Sequence, residues 1–187
     1  KTFVGLHLMQ EFLDKNKKIL YLASQSNDLL EQTYQDVHML RINQDSEIKN
    51  ENLIYLSSRG KDQQASDEKL LTRLQDLSHV LIIASLQSLQ SKRRVEFTPK
   101  LTKYLDYVFI DEIHRFIDNK GNDFIEDLLK NKDLNFWWMS ASSFQGTVNH
   151  PKFVKDIAEN IKVIHHKSTA ECILDEQLCN LHYHYFI

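Results

Sequence analysis

Short, almost wholly apolar runs alternate with longer amphipathic segments along this chain, and the alternation limits the folds that it can adopt. The runs are four or five residues long and rich in β-branched and aromatic side chains, which is typical of strands buried on both faces. They cover residues 19–23, 53–56, 80–84, 107–110, 136–139 and 161–164. The intervening segments repeat apolar residues at the helical period. Predicted helices cover residues 2–13, 27–39, 66–77, 122–130 and 151–159.

Strand-helix alternation predicts an α/β domain with a mostly parallel sheet. The length of 187 residues suits one domain, and the net charge of −3 argues against a polybasic binder. Two cysteines cannot form a disulfide framework, which favours a reducing, intracellular compartment over secretion. No apolar run approaches the length that spans a bilayer, and the chain does not start with a signal peptide, so we expect no membrane contact.

Polar residues follow five of the apolar runs, where a parallel sheet binds its ligands. They read Ser24-Gln25-Ser26, Ser57-Ser58-Arg59-Gly60, Ser85-Leu86-Gln87-Ser88, Asp111-Glu112-Ile113-His114 and Ser140-Ala141-Ser142. The fourth group is the most specific, because a buried strand delivers two carboxylates and an imidazole to its tip. One carboxylate can hold Mg²⁺, and the other can orient an attacking water. This pattern predicts nucleotide hydrolysis.

The order of these groups resembles the first RecA-like ATP-binding domain of superfamily 2 DEAD/DEAH-like (DExH) helicases and translocases, with the restriction-subunit-like subgroup favoured. Asp111-Glu112-Ile113-His114 is similar to their Walker B box, and Lys1-Thr2 to the end of Walker A. Residues 19–32 resemble motif Ia, residues 81–89 motif Ib, and residues 140–142 motif III. The resemblance implies a three-layer α/β/α P-loop NTPase over residues 1–165. Residues 166–187 would lead to a second RecA-like domain.

The resemblance also implies ATP and Mg²⁺ as cofactors and a role for each motif residue. Lys1 would contact the β- and γ-phosphates, and Thr2 and Asp111 would hold Mg²⁺. Glu112 would position the hydrolytic water, and His114 would link the ATP site to motif III. The remaining residues would couple hydrolysis to the nucleic acid (Ser140, Ala141 and Ser142) or contact it (Ser24, Gln25, Ser26, Ser85 and Gln87).

Several alternatives stay open at this point. Gln25 stands where motif Ia usually has proline, and Ser142 where motif III usually has threonine. A catalytically inactive, helicase-fold module that binds nucleic acid or acts as a scaffold is therefore the second hypothesis, and an unrelated Mg²⁺-dependent phosphohydrolase is a third. The Asp-Glu-Ile-His-Arg form favours DNA over RNA as the partner. Lys92-Arg93-Arg94, a tight basic cluster, either contacts phosphate or forms a solvated face.

The chain holds only four glycines, whereas average usage of about 7% corresponds to about 13. A phosphate-binding loop places its glycines directly before Lys-Thr, and Lys1-Thr2 opens this sequence. We therefore expect the fold to be truncated at the P-loop. Without that loop's backbone amides and the second domain, we expect the isolated 187 residues to bind ATP poorly and not to hydrolyse it.

Overall fold

A computed structural model describes residues 2–23, 27–43, 50–94, 96–111, 128, 131 and 133–139. Its strands are β1 (Lys18–Ala23), β2 (Leu53–Leu56), β3 (Val80–Ser85), β4 (Tyr107–Asp111) and β5 (Asn135–Met139). Its helices are α1 (Thr2–Asp14), α2 (Asn27–Asn43), α3 (Asp67–Asp76), α4 (Leu86–Leu89) and α5 (Phe97–Leu101), with 3₁₀ turns at Asn50–Asn52 and Lys92–Arg94. None of these helices is both long and apolar enough to cross a bilayer.

The five strands form one sheet in the order β2-β3-β1-β4-β5, and every described pairing is parallel. From β1 the chain moves to β2 at one edge of the sheet, whereas from β4 it moves to β5 at the other edge. The direction of travel therefore reverses between β1 and β4. In open α/β sheets, the crevice at the carboxyl ends of such a strand pair is where ligands bind.

Both faces of the sheet are buried, because successive side chains on each strand point to opposite faces. One face carries Leu20, Ile82 and Ile110, which pack with apolar residues of α3, α4 and α5 and with Leu128. The other face carries Ile19, Tyr21, Ile83 and Phe109, which pack with α1 and α2. The described part of the chain is thus a three-layer α/β/α domain, as predicted.

All five apolar runs within the described residues form strands, and the helices predicted at 2–13, 27–39 and 66–77 are present. Ser66 begins α3 as its cap, since its side chain accepts a hydrogen bond from the backbone N–H of Lys69. Two short helices, α4 and α5, were not predicted. The predicted strand 161–164 and helix 151–159 lie outside the described residues, as does nearly all of the predicted helix 122–130.

Candidate active site

The candidate site lies at the carboxyl ends of β1 and β4, where the sheet reverses direction. Asp111 is the last residue of β4 and is only 2% exposed. Its Oδ2 accepts a hydrogen bond of 3.2 Å from the hydroxyl of Tyr21 on β1. The strand register pairs Tyr21 with Phe109, so Tyr21 and Asp111 project to the same face of the sheet. The sequence separates these two residues by 90 positions, and the parallel pairing of β1 with β4 brings them together.

The Tyr21 hydroxyl also contacts helix α2. The side chain of Thr33, which is 1% exposed, interacts with this hydroxyl. Burial, followed by the negative charge of Asp111, raises the pKa of the Tyr21 phenol well above its ordinary value. The phenol therefore remains protonated at neutral pH and donates to the carboxylate. Thr33, Tyr21 and Asp111 form a buried polar connection between α2 and the end of β4.

Helix α1 begins beside the same edge of the sheet. It ends at Asp14 and is followed by a tight turn into β1, so its first residue, Thr2, lies at the opposite, carboxyl edge. A Cβ added to Gly5 would lie 2.7 Å from Sδ of Met139 on β5. Met139 is the register partner of Asp111. The absence of a side chain at Gly5 thus allows the first turns of α1 to lie directly against the strand next to Asp111.

The edge continues across β3, whose last residue is the register partner of Ala23 at the end of β1. Ser85 is 5% exposed and caps α4. Its Oγ accepts a hydrogen bond of 3.1 Å from the backbone N–H of Ser88 and donates one of 2.8 Å to Oγ of Ser88. The side chain of Gln87, two residues after Ser85, is exposed. Ser85 thus fixes the local backbone, and Gln87 is presented to solvent.

A buried arginine stabilises the loop after β2 through hydrogen bonds to its backbone. The sequence analysis did not distinguish this arginine from its basic neighbours. Arg94 is 1% exposed, and its guanidinium donates to the backbone oxygens of residues 62, 63 and 65. It also forms an ion pair of 3.0 Å with Asp67. Lys92 and Arg93, by contrast, are exposed. The basic cluster therefore divides into two solvated side chains and one that joins the β2 loop to the segment after β3.

A comparison with known protein families covers the strands that form this edge of the sheet. The model of the family described as "Type III restriction enzyme, res subunit" matches residues 1–141. The chain belongs to this family. It is accordingly an N-terminal RecA-like domain of helicase superfamily 2 with the P-loop NTPase fold. The family is in general one of helicase-like, ATP-dependent motor domains. A search of curated proteins found no match.

Family membership indicates which ligands to compare with the residues around Asp111. P-loop NTPases of this kind generally use ATP and Mg²⁺. Mg²⁺ is bound through one or two carboxylates together with substrate phosphates, so it needs no dedicated cage of protein ligands. Asp111 supplies a buried carboxylate, and α1 begins at Thr2 on the same edge. No cluster of three or more acidic, histidine or cysteine side chains occurs among the residues that the structure describes. The donor set fits Mg²⁺ held jointly with nucleotide.

The predicted site residues divide into two groups. Asp111, Ser85 and Gln87 are described with their side chains, and Thr2 is described as the first residue of α1. All four lie on elements that meet the carboxyl edge. The other predicted residues lie outside the described part of the chain: Lys1, Ser24, Gln25, Ser26, Glu112, His114, Ser140, Ala141 and Ser142. Tyr21 and Thr33 were missed, because both are polar groups within apolar or amphipathic patterns and their partners are distant in sequence.

Proposed function

We propose that this chain is the N-terminal motor domain of an ATP-dependent helicase or translocase that couples Mg-ATP hydrolysis to movement on DNA. The observation that carries the proposal is the buried carboxylate of Asp111 at the carboxyl end of β4. It lies where the sheet reverses direction and beside the strand against which α1 begins. Membership of the restriction-subunit family supports the same activity class.

In this proposal each motif residue has a defined task. Lys1 would bind the β- and γ-phosphates through its positive charge, and the Thr2 hydroxyl and Asp111 would hold Mg²⁺. When bound, Mg²⁺ neutralises negative charge on the phosphates during transfer. Glu112, directly after Asp111, accepts a proton from the attacking water and orients it. His114 connects this centre to residues Ser140, Ala141 and Ser142.

The nucleic acid is proposed to cross the same edge further along, over the ends of β1 and β3. Ser24, Gln25 and Ser26 follow β1; Ser85 is the last residue of the neighbouring β3, where its buried hydroxyl caps α4, and the exposed Gln87 follows it. Hydroxyl, amide and backbone N–H groups contact phosphates without reading base sequence. This mode of binding suits a chain with a net charge of −3. We propose residues 1–165 as the motor domain and residues 166–187 as the connection to a second RecA-like domain.

The test uses the full-length protein that contains this domain. ATP hydrolysis is measured with single-stranded DNA, duplex DNA, RNA or no nucleic acid. We expect stimulation by DNA, and loss of turnover in a Glu112→Gln variant that still binds ATP and DNA. RNA stimulation exceeding that by DNA would reassign the substrate. A protein that binds DNA identically with and without ATP, and whose function survives Glu112→Gln, would be the inactive binding or scaffolding module instead.

A further inference from the structure

We propose that Tyr21 is a positioning residue for the metal-holding carboxylate of Asp111, and that Thr33 extends this control to helix α2. The inference rests on the proposed function, because it assigns Asp111 to Mg²⁺. The inference adds Tyr21 to the site. Tyr21 is not one of the residues that the sequence predicted to contact ATP, the metal or the attacking water. Tyr21 lies inside strand β1, is fully buried and carries its hydroxyl to Oδ2 of Asp111 at 3.2 Å.

A buried tyrosine in a strand of this kind has no need of its hydroxyl for packing. The ring of Tyr21 fills the same apolar layer as Ile19 and Phe109, which phenylalanine would also fill. A buried hydroxyl without a partner is costly, so its presence is explained by its hydrogen bond to Asp111 and by the side chain of Thr33 with which it interacts.

The hydrogen bond restricts the carboxylate in a way that matters for a metal. A carboxylate at a strand end rotates about its terminal torsion, which has broad minima. A donor fixed on the adjacent strand selects one orientation and occupies one oxygen. Partners of this type, which orient a metal ligand without touching the metal, affect metal affinity by about 10–100-fold. Tyr21 is therefore expected to act on metal affinity more than on the chemical step.

Thr33 makes the arrangement sensitive to the position of α2. This helix follows residues 24–26, which we propose contact nucleic acid, and Thr33 lies on its buried side. A shift of α2 would change the interaction between Thr33 and the Tyr21 hydroxyl and, through it, the orientation of Asp111. Thr33, Tyr21 and Asp111 thus provide a physical connection between the nucleic-acid side of the edge and the metal.

The test compares Tyr21→Phe with Tyr55→Phe in the full-length protein. Tyr55 is a matched control, since it is 2% exposed on β2 and donates a hydrogen bond of 3.1 Å to another carboxylate, that of Glu31. Mn²⁺ binding in the presence of ADP is followed by electron paramagnetic resonance. We expect Tyr21→Phe to raise the Kd for Mn²⁺ about tenfold or more. We expect Tyr55→Phe to leave it unchanged.

Steady-state ATP hydrolysis gives a second, independent readout. The Mg²⁺ concentration for half-maximal rate should rise in Tyr21→Phe, while kcat at saturating Mg²⁺ stays within about twofold of wild type. If Tyr21→Phe fails to fold, Thr33→Val replaces it, with an expected rise in the Mn²⁺ Kd of about threefold from loss of the hydroxyl that interacts with Tyr21. A purely structural role would lower the melting temperature and leave both metal readouts unchanged.

The outcomes separate this inference from the proposed function. Unchanged Mn²⁺ affinity in Tyr21→Phe, in a protein whose DNA-stimulated ATP hydrolysis requires Glu112, would overturn the inference alone. Equal loss of Mn²⁺ affinity in the Tyr21 and Tyr55 variants would also overturn it. Weakened Mn²⁺ binding specific to Tyr21→Phe, in a protein without DNA-stimulated hydrolysis, would support the role of Tyr21 and refute the proposed motor activity.

Discussion

Replacement of Arg94 by methionine should destabilise this domain severely, although two exposed basic residues precede it in the sequence. The guanidinium is 1% exposed and donates hydrogen bonds of 2.8–3.2 Å to three backbone oxygens and one carboxylate oxygen. The partner carboxylate, Asp67, also accepts from the backbone N–H groups of Glu96 and Phe97. Methionine fills much of the same volume and supplies none of these donors.

The magnitude follows from what the substitution leaves behind. Removing one member of a buried ion pair costs about 3–5 kcal/mol, because the remaining carboxylate loses its charged partner and the backbone oxygens lose a donor. Total stability is about 5–15 kcal/mol for a domain, so this loss is a large fraction of it. With a urea dependence of about 2 kcal/mol per molar, the unfolding midpoint should fall by roughly 1.5–2.5 M. Urea unfolding followed by circular dichroism measures this shift.

Arg93→Met is the matched control, because it removes the same atoms from the adjacent residue. Arg93 is exposed and hydrogen-bonds only Gln64 among the described contacts, so its loss should cost no more than about 1 kcal/mol. The unfolding midpoint of Arg94→Lys should lie between those of Arg93→Met and Arg94→Met, since lysine keeps the charge opposite Asp67 but lacks the planar guanidinium group. Equal midpoints for Arg93→Met and Arg94→Met would refute the reasoning, as would a loss at Arg94 below about 1 kcal/mol.

Four further substitutions test the local geometry by thermal unfolding. Gly60→Ala should lower the free energy of unfolding by about 1–3 kcal/mol, because the added Cβ would lie 2.4 Å from the backbone oxygen of Tyr55. Gly5→Ala should lower the free energy of unfolding far less, because the nearest neighbour of Gly5 is the flexible end of the Met139 side chain. Alanine also has a helix propensity about 1 kcal/mol more favourable than that of glycine. Equal losses of stability at both glycines would contradict this account. Ser85→Ala should cost about 1 kcal/mol through loss of the α4 cap, and Ser85→Thr should restore most of it. An unchanged melting temperature in Ser85→Ala would refute the capping role.

The pattern of apolar runs was sufficient to predict the five described strands, because a strand buried on both faces leaves little freedom in composition. The same pattern could not reveal the order β2-β3-β1-β4-β5, since the runs are alike and pairing depends on tertiary packing. The reversal between β1 and β4, which locates the candidate site, is therefore a result of the structure alone. The helices α4 and α5 have four and five residues, too few for a helical period to show.

The site could be predicted where residues adjacent in sequence carry the chemistry. A buried strand that ends in an acidic pair predicted that one of the two carboxylates holds Mg²⁺, and the resemblance to helicases assigned that role to Asp111; the role stays a prediction. Tyr21 and Arg94 were not distinguished, because their partners lie 90 and 27 residues away. In the sequence, Tyr21 is a tyrosine inside an apolar run and Arg94 is one arginine in a basic cluster. Neither has an evident hydrogen-bond partner among the residues next to it in the sequence.

DNA-stimulated ATP hydrolysis by the full-length protein, compared between Asp111→Asn and Asp133→Asn, tests the central claim most directly. Both substitutions remove one negative charge and preserve side-chain size, but Asp133 is exposed just before β5 and lies outside the proposed site. We expect Asp111→Asn to abolish hydrolysis through loss of the metal-holding carboxylate, and Asp133→Asn to retain it. Full activity in a folded Asp111→Asn protein would contradict the assignment of this edge as the ATP site.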